Sequence, residues 1–379
     1  MSKRIVIIAG EASGDMHGAH LINHLKEISP EIEISGLGGK LMQTAGAEIY
    51  YNLVNLAVIG FFEVLQNLSK FKGAFKLLLT KIDQKKPDAV ILIDYPGFNL
   101  KIAREIKKRG IPIIYYISPQ VWAWGQGRLK TIKKLVDIII VVFKFEEELY
   151  QKEGINVYFA GHPLMDMVKS GGFKEAICAE HHLDENSLSI ALMPGSRENE
   201  IKRILPVMLD TALMLHEDNN QSQFIVVKSP SVAESVYTQI LSRHRAPARL
   251  IENSTYDILE IADFALICSG TATLEAAIMQ TPMVIIYKVS FATWLCVRNL
   301  IKIPYIGLVN IVAGEKIVPE FVQFNARPDI IYKACKQIIY DKDKKEEMIE
   351  GLKKVKNSLG EPGASRRAAE AVISFLNQS

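Results

Sequence analysis

Ser187-Leu-Ser-Ile-Ala-Leu-Met-Pro-Gly-Ser-Arg-Glu-Asn-Glu-Ile201 carries the fold in miniature. Ser187–Met193 is an apolar run of strand length, and Pro194-Gly-Ser-Arg197 is a turn. Glu198 starts a helix whose apolar positions Ile201, Leu205, Met208 and Leu209 fall at i, i+4, i+7 and i+8. Pro206 lies inside that pattern and is expected to kink the helix or delay its start. Gly195 lets the backbone turn tightly or approach a ligand closely. The free N–H groups and positive dipole end of the new helix favour an anion. Arg197 adds a fork of donors suited to phosphate. A strand, a glycine turn, an arginine and a helix start make a phosphate pocket; the alternative is a tight turn with a surface arginine.

The same strand-to-helix step repeats along the 379 residues, a length sufficient for two domains with their own cores. Strands are expected at Ile5–Ala9, Ile32–Ser35, Ala89–Asp94, Ile111–Ile117, Asp137–Phe143 and Val157–Ala160, with helical patterns between them. Runs such as Ile138-Ile-Ile-Val-Val-Phe143 are apolar throughout, as parallel strands buried on both faces require. The pattern breaks at Gly161-His-Pro-Leu164 and Lys169-Ser-Gly-Gly-Phe173. It resumes with Ser189–Met193, Gln223–Val227, Arg249–Glu252, Phe264–Cys268 and Met283–Tyr287. This alternation predicts an α/β protein of two Rossmann-like, doubly wound parallel-sheet domains facing across a cleft. The boundaries are residues 1–165 and 170–363, with a last helix, about 364–379, crossing back to the first domain.

Composition narrows the function. Hydrophobic residues make up 49% and charged residues 23%, so the chain is globular. A net charge of +3 gives no argument for nucleic acid. Cys178, Cys268, Cys296 and Cys335 form no CxxC, which fits a reducing compartment without disulfides or a zinc site. No signal peptide is expected ahead of the strand at Arg4–Ala9, since no apolar h-region and cleavage site are seen before it. The longest uncharged stretch, Gly110–Gly127, holds two prolines and two glutamines, so no transmembrane helix is expected.

Ligands of open parallel sheets bind beyond the carboxyl ends of the strands, and four loops there carry unusual polar residues. Gly10-Glu-Ala-Ser-Gly-Asp-Met-His-Gly18 is a glycine loop without GxGxxG. Its Glu11 and Asp15 would repel a pyrophosphate, so with His17, Ser13 and Gly14 it suits a sugar or acid/base site. Helix capping by Ser13 or Asp15 is the alternative. His17, His20 and His24 lack the pattern of a metal site. In Asp94-Tyr-Pro-Gly-Phe-Asn99, an acid ends a buried strand, where its pKa can rise toward that of a general base; an Asx turn is the alternative. Ser118-Pro-Gln-Val-Trp-Ala-Trp-Gly-Gln-Gly-Arg128 sets Trp122 and Trp124 beside Gln120, a surface for a sugar ring or a domain edge. Ser269-Gly-Thr271 opens a second helix start beyond Cys268. Two such starts suit a diphosphate, and Glu275 could accept from ribose hydroxyls or simply favour the dipole.

Taken together, Glu11–Asp15, Asp94–Asn99, Ser118–Trp124, Gly161–Leu164, Pro194–Arg197 and Ser269–Glu275 resemble the lipid-A-disaccharide synthase family in their order and over most of the chain. The resemblance implies a GT-B inverting glycosyltransferase of bacterial lipid A synthesis. Its donor would be UDP-2,3-diacylglucosamine and its acceptor 2,3-diacylglucosamine 1-phosphate. The products would be the β-1,6-linked disaccharide 1-phosphate and UDP, with no metal and no cofactor. It implies an N-terminal acceptor and catalytic domain and a C-terminal UDP-sugar domain. Gly195, Ser196, Arg197, Ser269, Gly270, Thr271 and Glu275 would hold UDP, with Asn310, Glu320 and Gln323 as further donor-site candidates. Ser13, Gly14, Asp15, Asn99, Gln120, Trp122 and Trp124 are assigned to the acceptor and its sugar. Asp94 is the candidate base, with Glu11 and His17 as alternatives or helpers.

Acylated substrates imply a cytoplasmic protein bound peripherally to the inner membrane. Phe61–Ile82, apolar at helical spacing with interleaved lysines, is the candidate surface, against an ordinary core helix. Phe291–Ile303 is the second candidate, and an oligomer is compatible with the residues. Two other readings stand beside this one. One is another UDP-sugar GT-B enzyme, an epimerase or a soluble-acceptor glycosyltransferase. The other is a non-catalytic nucleotide-binding module.

Overall fold

The computed structural model describes residues 2–54, 68–122, 127–169, 171–291, 294–295 and 304–378. The chain divides into two compact units, Met1–Asp166 with Leu359–Ser379, and Met167–Ser358.

In the first unit, β1 (Arg4–Ala9), β2 (Glu33–Gly38), β3 (Glu48–Asn52), β4 (Ala89–Ile93), β5 (Ile113–Tyr116), β6 (Ile138–Val141) and β7 (Val157–Phe159) form one sheet. Its order is β3-β2-β1-β4-β5-β6-β7, and every pairing is parallel. Each residue of β4 and β5 is buried, the result expected for apolar runs covered by helices on both faces. The edge strand β3 is an addition to the expected set. Its residues are half-buried or exposed, so Glu48-Ile-Tyr-Tyr-Asn52 lacks the continuous apolar signal of the inner strands. The last helix, Ala364–Gln378, buries Ala368, Ala369, Val372 and Leu376 and packs on the helix Ala12–Ile28. Arg367 Nε donates to the Ala160 carbonyl at 2.8 Å, and Lys3 Nζ to that of Leu376 at 3.1 Å.

The second unit holds β8 (Leu188–Met193), β9 (Ser222–Lys228), β10 (Ala248–Glu252), β11 (Phe264–Cys268), β12 (Met283–Tyr287) and β13 (Glu320–Val322). The order is β10-β9-β8-β11-β12-β13, again parallel throughout. The helix Glu198–Asp218 begins directly after Arg197 and runs through Pro206, so the proline does not delay its start.

Both sheets reverse their winding once, between β1 and β4 and between β8 and β11. At such a point the loops leaving two adjacent strands diverge to opposite faces and open a crevice at the strands' carboxyl ends. The registers Ala9↔Ile93 and Ile267↔Met193 bring Gly10–Asp15 beside Asp94, and Pro194–Arg197 beside Ser269–Thr271.

Among the described residues no helix is long and apolar enough to cross a membrane. The described part of Phe61–Ile82 is a core helix, which corrects the expected lipid-facing surface for that part. In the helix Leu68–Lys85, Ala74, Leu78 and Ile82 are buried, and Phe71, Phe75 and Leu79 pack on the core. The Phe75 and Phe98 rings meet edge to face at 5.8 Å. Phe61, Val64 and Leu65 lie outside the described residues.

Candidate active site

At the β8/β11 switch of the second unit lies a cavity of about 430 Å³. Gly195, Ser196, Arg197, Ser269, Gly270, Thr271 and Glu275 all line it, so the two predicted helix starts converge on one space. Gly195 has φ +115°, a conformation that favours glycine, and a Cβ there would come within 2.6 Å of Glu200 Oε2. Ser269 is anchored by its hydroxyl to the Ile306 carbonyl at 2.9 Å. Burial pushes the Glu275 carboxyl up, and Tyr256 OH donates to it at 3.5 Å. Cys268, buried in the same wall, has its thiol raised to about 12 by burial first and the Glu200 charge second, so it is no nucleophile at neutral pH. Lys228, at the end of β9, also lines the cavity and pairs with Glu252. The sequence reading passed over it, although a lysine just past the carboxyl end of an apolar strand is the available signal.

Asn310, Glu320 and Gln323, expected as further donor-site candidates, are not among the residues lining this cavity and are engaged within the protein. Asn310 is fully buried. Its Nδ2 donates to the Val318 carbonyl and to Glu320 Oε1, both at 2.9 Å, and its Oδ1 accepts from Ile317 and Val318. Glu320 accepts the Ile306 and Gly307 N–H groups at 2.9 and 2.8 Å. Gln323 exchanges both hydrogen bonds with the Val289 backbone at 3.1 Å. With their polar atoms so engaged, these side chains brace the β12–β13 edge and the 306–307 turn on which Ser269 is anchored.

The β1/β4 switch of the first unit has a different chemistry. Asp94 and Tyr95 are consecutive residues with positive φ, 41° and 46°, a strained arrangement for non-glycine residues. The strain is held by three hydrogen bonds: Asn99 Nδ2 to the Ile93 and Asp94 carbonyls at 3.1 and 2.7 Å, and Tyr115 OH to the Asp94 carbonyl at 2.7 Å. Asn99 is therefore a fully buried clamp rather than a sugar ligand. A Cβ on Gly10 would meet the Tyr95 ring at 2.2 Å, so that glycine lets the ring lie on the β1 turn. Burial, helped by the negative charge of Glu11, lifts the Asp94 carboxyl to about 6. His17 moves the other way: burial and then the neighbouring His20 lower it to about 4, and its buried Nδ1 has no partner. A neutral imidazole of that basicity is a weaker proton acceptor than Asp94. His162, after β7, is lowered to about 3 by burial and then by His17. Its Nδ1 accepts the Leu164 N–H at 3.2 Å, which puts any ring proton on Nε2.

Asp15 and Gly14, expected at the acceptor, are engaged by the protein itself. The Asp15 carboxylate, 4% exposed, accepts the N–H groups of Gly39, Leu41 and Met42 at 2.7, 3.0 and 3.1 Å. It caps the helix Lys40–Thr44, not its own helix. Gly14 is buried against Ala9 and Ile93 as a packing contact. Ser13 and Gln120 are exposed and Glu11 is half-buried, so these three stay accessible.

The aromatic loop is keyed to a residue that sequence reasoning missed. Glu146, 1% exposed, accepts at one oxygen from Ser118 Oγ at 3.1 Å and from Trp122 Nε1 at 3.0 Å. Its other oxygen is buried without a partner, and burial lifts the carboxyl to about 7. Trp122 is half-buried, edge-on to Phe145 at 5.5 Å. Trp124 lies outside the described residues. Nothing in Phe145-Glu-Glu-Glu148 distinguishes the buried acid from half-buried Glu147 and exposed Glu148 except helical phase. Among the described residues no group of three His, Cys, Asp or Glu is placed to hold a metal.

Two parallel α/β units with sites at their switch points define the GT-B class, shared by sugar-nucleotide glycosyltransferases and epimerases. Solved structures agree on the fold. The glycosyltransferase of kitacinnamycin matches with a TM-score of 0.67 at 14% identity, over 99% of this chain and 100% of its own. The UDP-GlcNAc 2-epimerase from Neisseria meningitidis bound to UDP-GlcNAc matches at 0.65 and 15% identity, over 100% of both.

Within that class, the profile of lipid-A-disaccharide synthetase matches residues 5–374, and the chain belongs to that family, a family of glycosyltransferases of lipid A biosynthesis. The lipid-A-disaccharide synthase of Syntrophus aciditrophicus (strain SB) is 42% identical over 100% of this chain and 99% of its own length. That of Coxiella burnetii (strain Dugway 5J108-111) is 39% identical over 99% of both.

Proposed function

We propose that the protein transfers 2,3-diacylglucosamine from UDP-2,3-diacylglucosamine to the 6-hydroxyl of 2,3-diacylglucosamine 1-phosphate, releasing UDP. The observation that carries this reading is the family match across the chain together with the second unit's cavity, where two helix starts meet beside Arg197 and Lys228. Helix N-termini and cations are the groups that bind a diphosphate and stabilise it as it leaves. Asp94 serves as general base. It takes the proton of the acceptor hydroxyl as that oxygen attacks the anomeric carbon and the bond to UDP breaks, a single displacement that inverts the centre. A carboxyl lifted to about 6 is ionised at neutral pH yet more basic than an ordinary aspartate. Glu11 raises Asp94 and stands ready to hydrogen-bond the acceptor, while Trp122 and Gln120 face the sugar. An epimerase shares the fold, but the epimerase above is only 15% identical, so the family match favours the transferase.

Both substrates are acylated, so the protein works at a membrane surface. We place lipid contact on an exposed apolar patch of the second unit. Phe291 and Phe324 are each 64% exposed with rings 6.4 Å apart, and Leu295 is 50% exposed.

Purified protein incubated with UDP-2,3-diacylglucosamine and the acyl sugar 1-phosphate should form the disaccharide 1-phosphate and UDP in equal amounts. Release of UDP without disaccharide, or no turnover of fresh protein, would overturn the assignment.

A further inference from the structure

The turn that donor phosphates would use already holds an anion. Glu200 lies in the first turn of the helix Glu198–Asp218. Its Oε2 accepts the Ser196 N–H at 3.2 Å and the Arg197 N–H at 3.3 Å, and its Oε1 accepts from Arg197 Nη1 at 3.1 Å. The Glu200 side chain is 25% exposed and lines the cavity, whereas that of Arg197 is 77% exposed. Gly195 makes room for the carboxylate, since a Cβ there would press on it. Two backbone donors and a guanidinium, the groups best suited to phosphate oxygens at a helix start, are thus engaged by the chain's own carboxylate. A carboxylate and a phosphate want the same donors, repel one another, and cannot hold them together.

From this geometry we propose that Glu200 is an affinity-setting residue of the donor site, whose carboxylate competes with the ligand's diphosphate for the 195–197 turn and so weakens its binding. The inference rests on reading the cavity as a nucleoside diphosphate site. Binding then requires Glu200 to leave the turn, with Arg197 exchanging its partner from carboxylate to phosphate. A ligand lacking phosphates has no means of displacing it and gains nothing from the turn. The same residue serves as a helix cap, reaching back from N3 to the N-terminal N–H.

Titration calorimetry of the full chain with UDP and with uridine separates the possibilities. Glu200→Gln keeps the cap, because glutamine serves at N3 as glutamate does, but removes the charge. UDP should bind about tenfold tighter to Glu200→Gln, the effect of deleting one partly screened like charge, while uridine affinity is unchanged. Glu200→Ala, which also loses half of the cap, should shift UDP affinity in the same direction even if its melting temperature falls. UDP binding to the wild type with equal or weaker binding to both variants overturns this proposal alone and makes Glu200 a cap only. No UDP binding to any of the three proteins overturns the donor-site reading and this proposal with it.

Discussion

The two switch points occupy equivalent places in two similar sheets, yet they are built for opposite charges. At β1/β4 the first unit gathers Glu11, a raised Asp94 and two histidines that burial keeps neutral. At β8/β11 the second unit gathers two helix starts, Arg197 and Lys228, with Glu200 as the resident anion. One backbone plan therefore carries an acidic crevice, the proposed proton-handling site, and a crevice of helix starts and cations, the proposed anion-binding site. The difference begins where each strand stops. Asp94, at the end of β4, is desolvated and strained, whereas the glycine turn after β8 exposes N–H groups. A shared topology locates the crevice, and the few residues just past the strand ends decide its chemistry.

The sharpest way to break this comparison is Asp94→Asn, which keeps shape and removes the proton acceptor. Loss of a general base lowers kcat by roughly 10²–10⁴, and UDP affinity should not change, since the proposed UDP site is the other switch point. In the wild type, kcat should fall as pH drops through about 6, and that limb should vanish in Asp94→Asn. If Asp94→Asn turns over within a few-fold of wild type while Glu11→Gln is inactive, the base is Glu11. Stability supplies a second sign. A raised carboxyl favours the protonated folded form, so its contribution is present below the ordinary aspartate pKa and lost as pH rises through about 6. At pH 7.5 Asp94→Asn should therefore be more stable than wild type by roughly 1–3 kcal/mol in denaturant melts; equal or lower stability would mean that Asp94 is not desolvated as described.

Asp15→Ala tests whether the acid four residues from Glu11 is scaffold. It strands three N–H groups at the start of Lys40–Thr44, so stability should fall by roughly 2–4 kcal/mol. Glu11→Ala should melt within about 0.5 kcal/mol of wild type, as accessible surface positions do. Equal melting temperatures for the two variants would return Asp15 to the site.

Arg197→Ala probes the opposite switch point. A charge-assisted hydrogen bond contributes about 1.5–3 kcal/mol. Because Arg197 is largely exposed, and its loss also frees Glu200 from one partner, the lower end applies, a weakening of UDP binding by about tenfold. Turnover at saturating UDP-sugar should fall less than in Asp94→Asn. An Arg197→Ala protein that binds UDP as wild type does would remove Arg197 from the site.

Much of this protein is legible in its residues. Apolar runs such as Ala89–Ile93 and Phe264–Cys268 are strands because buried parallel strands admit nothing polar on either face. Pro194-Gly-Ser-Arg197 and Ser269-Gly-Thr271 announce helix starts through local backbone chemistry. What escapes are features that depend on partners distant in sequence. The edge strands β3 and β13 carry weak patterns because half their surface faces away from the core. Asp15 looks like Glu11 along the chain, and only the folded structure sets it against the Gly39–Met42 N–H groups. Asn310, Glu320 and Gln323 sit where family resemblance points to the donor, yet their polar atoms are engaged by the backbone and by one another. Glu146 acquires meaning only when Ser118 and Trp122 close over it. By itself the sequence determined the alternation of elements, the glycine turns and the residue types at the strand ends, because these depend on neighbours within a turn or two. Tertiary structure decided which acids are ligands and which are braces, because desolvation and hydrogen-bond satisfaction are set by groups tens of residues away.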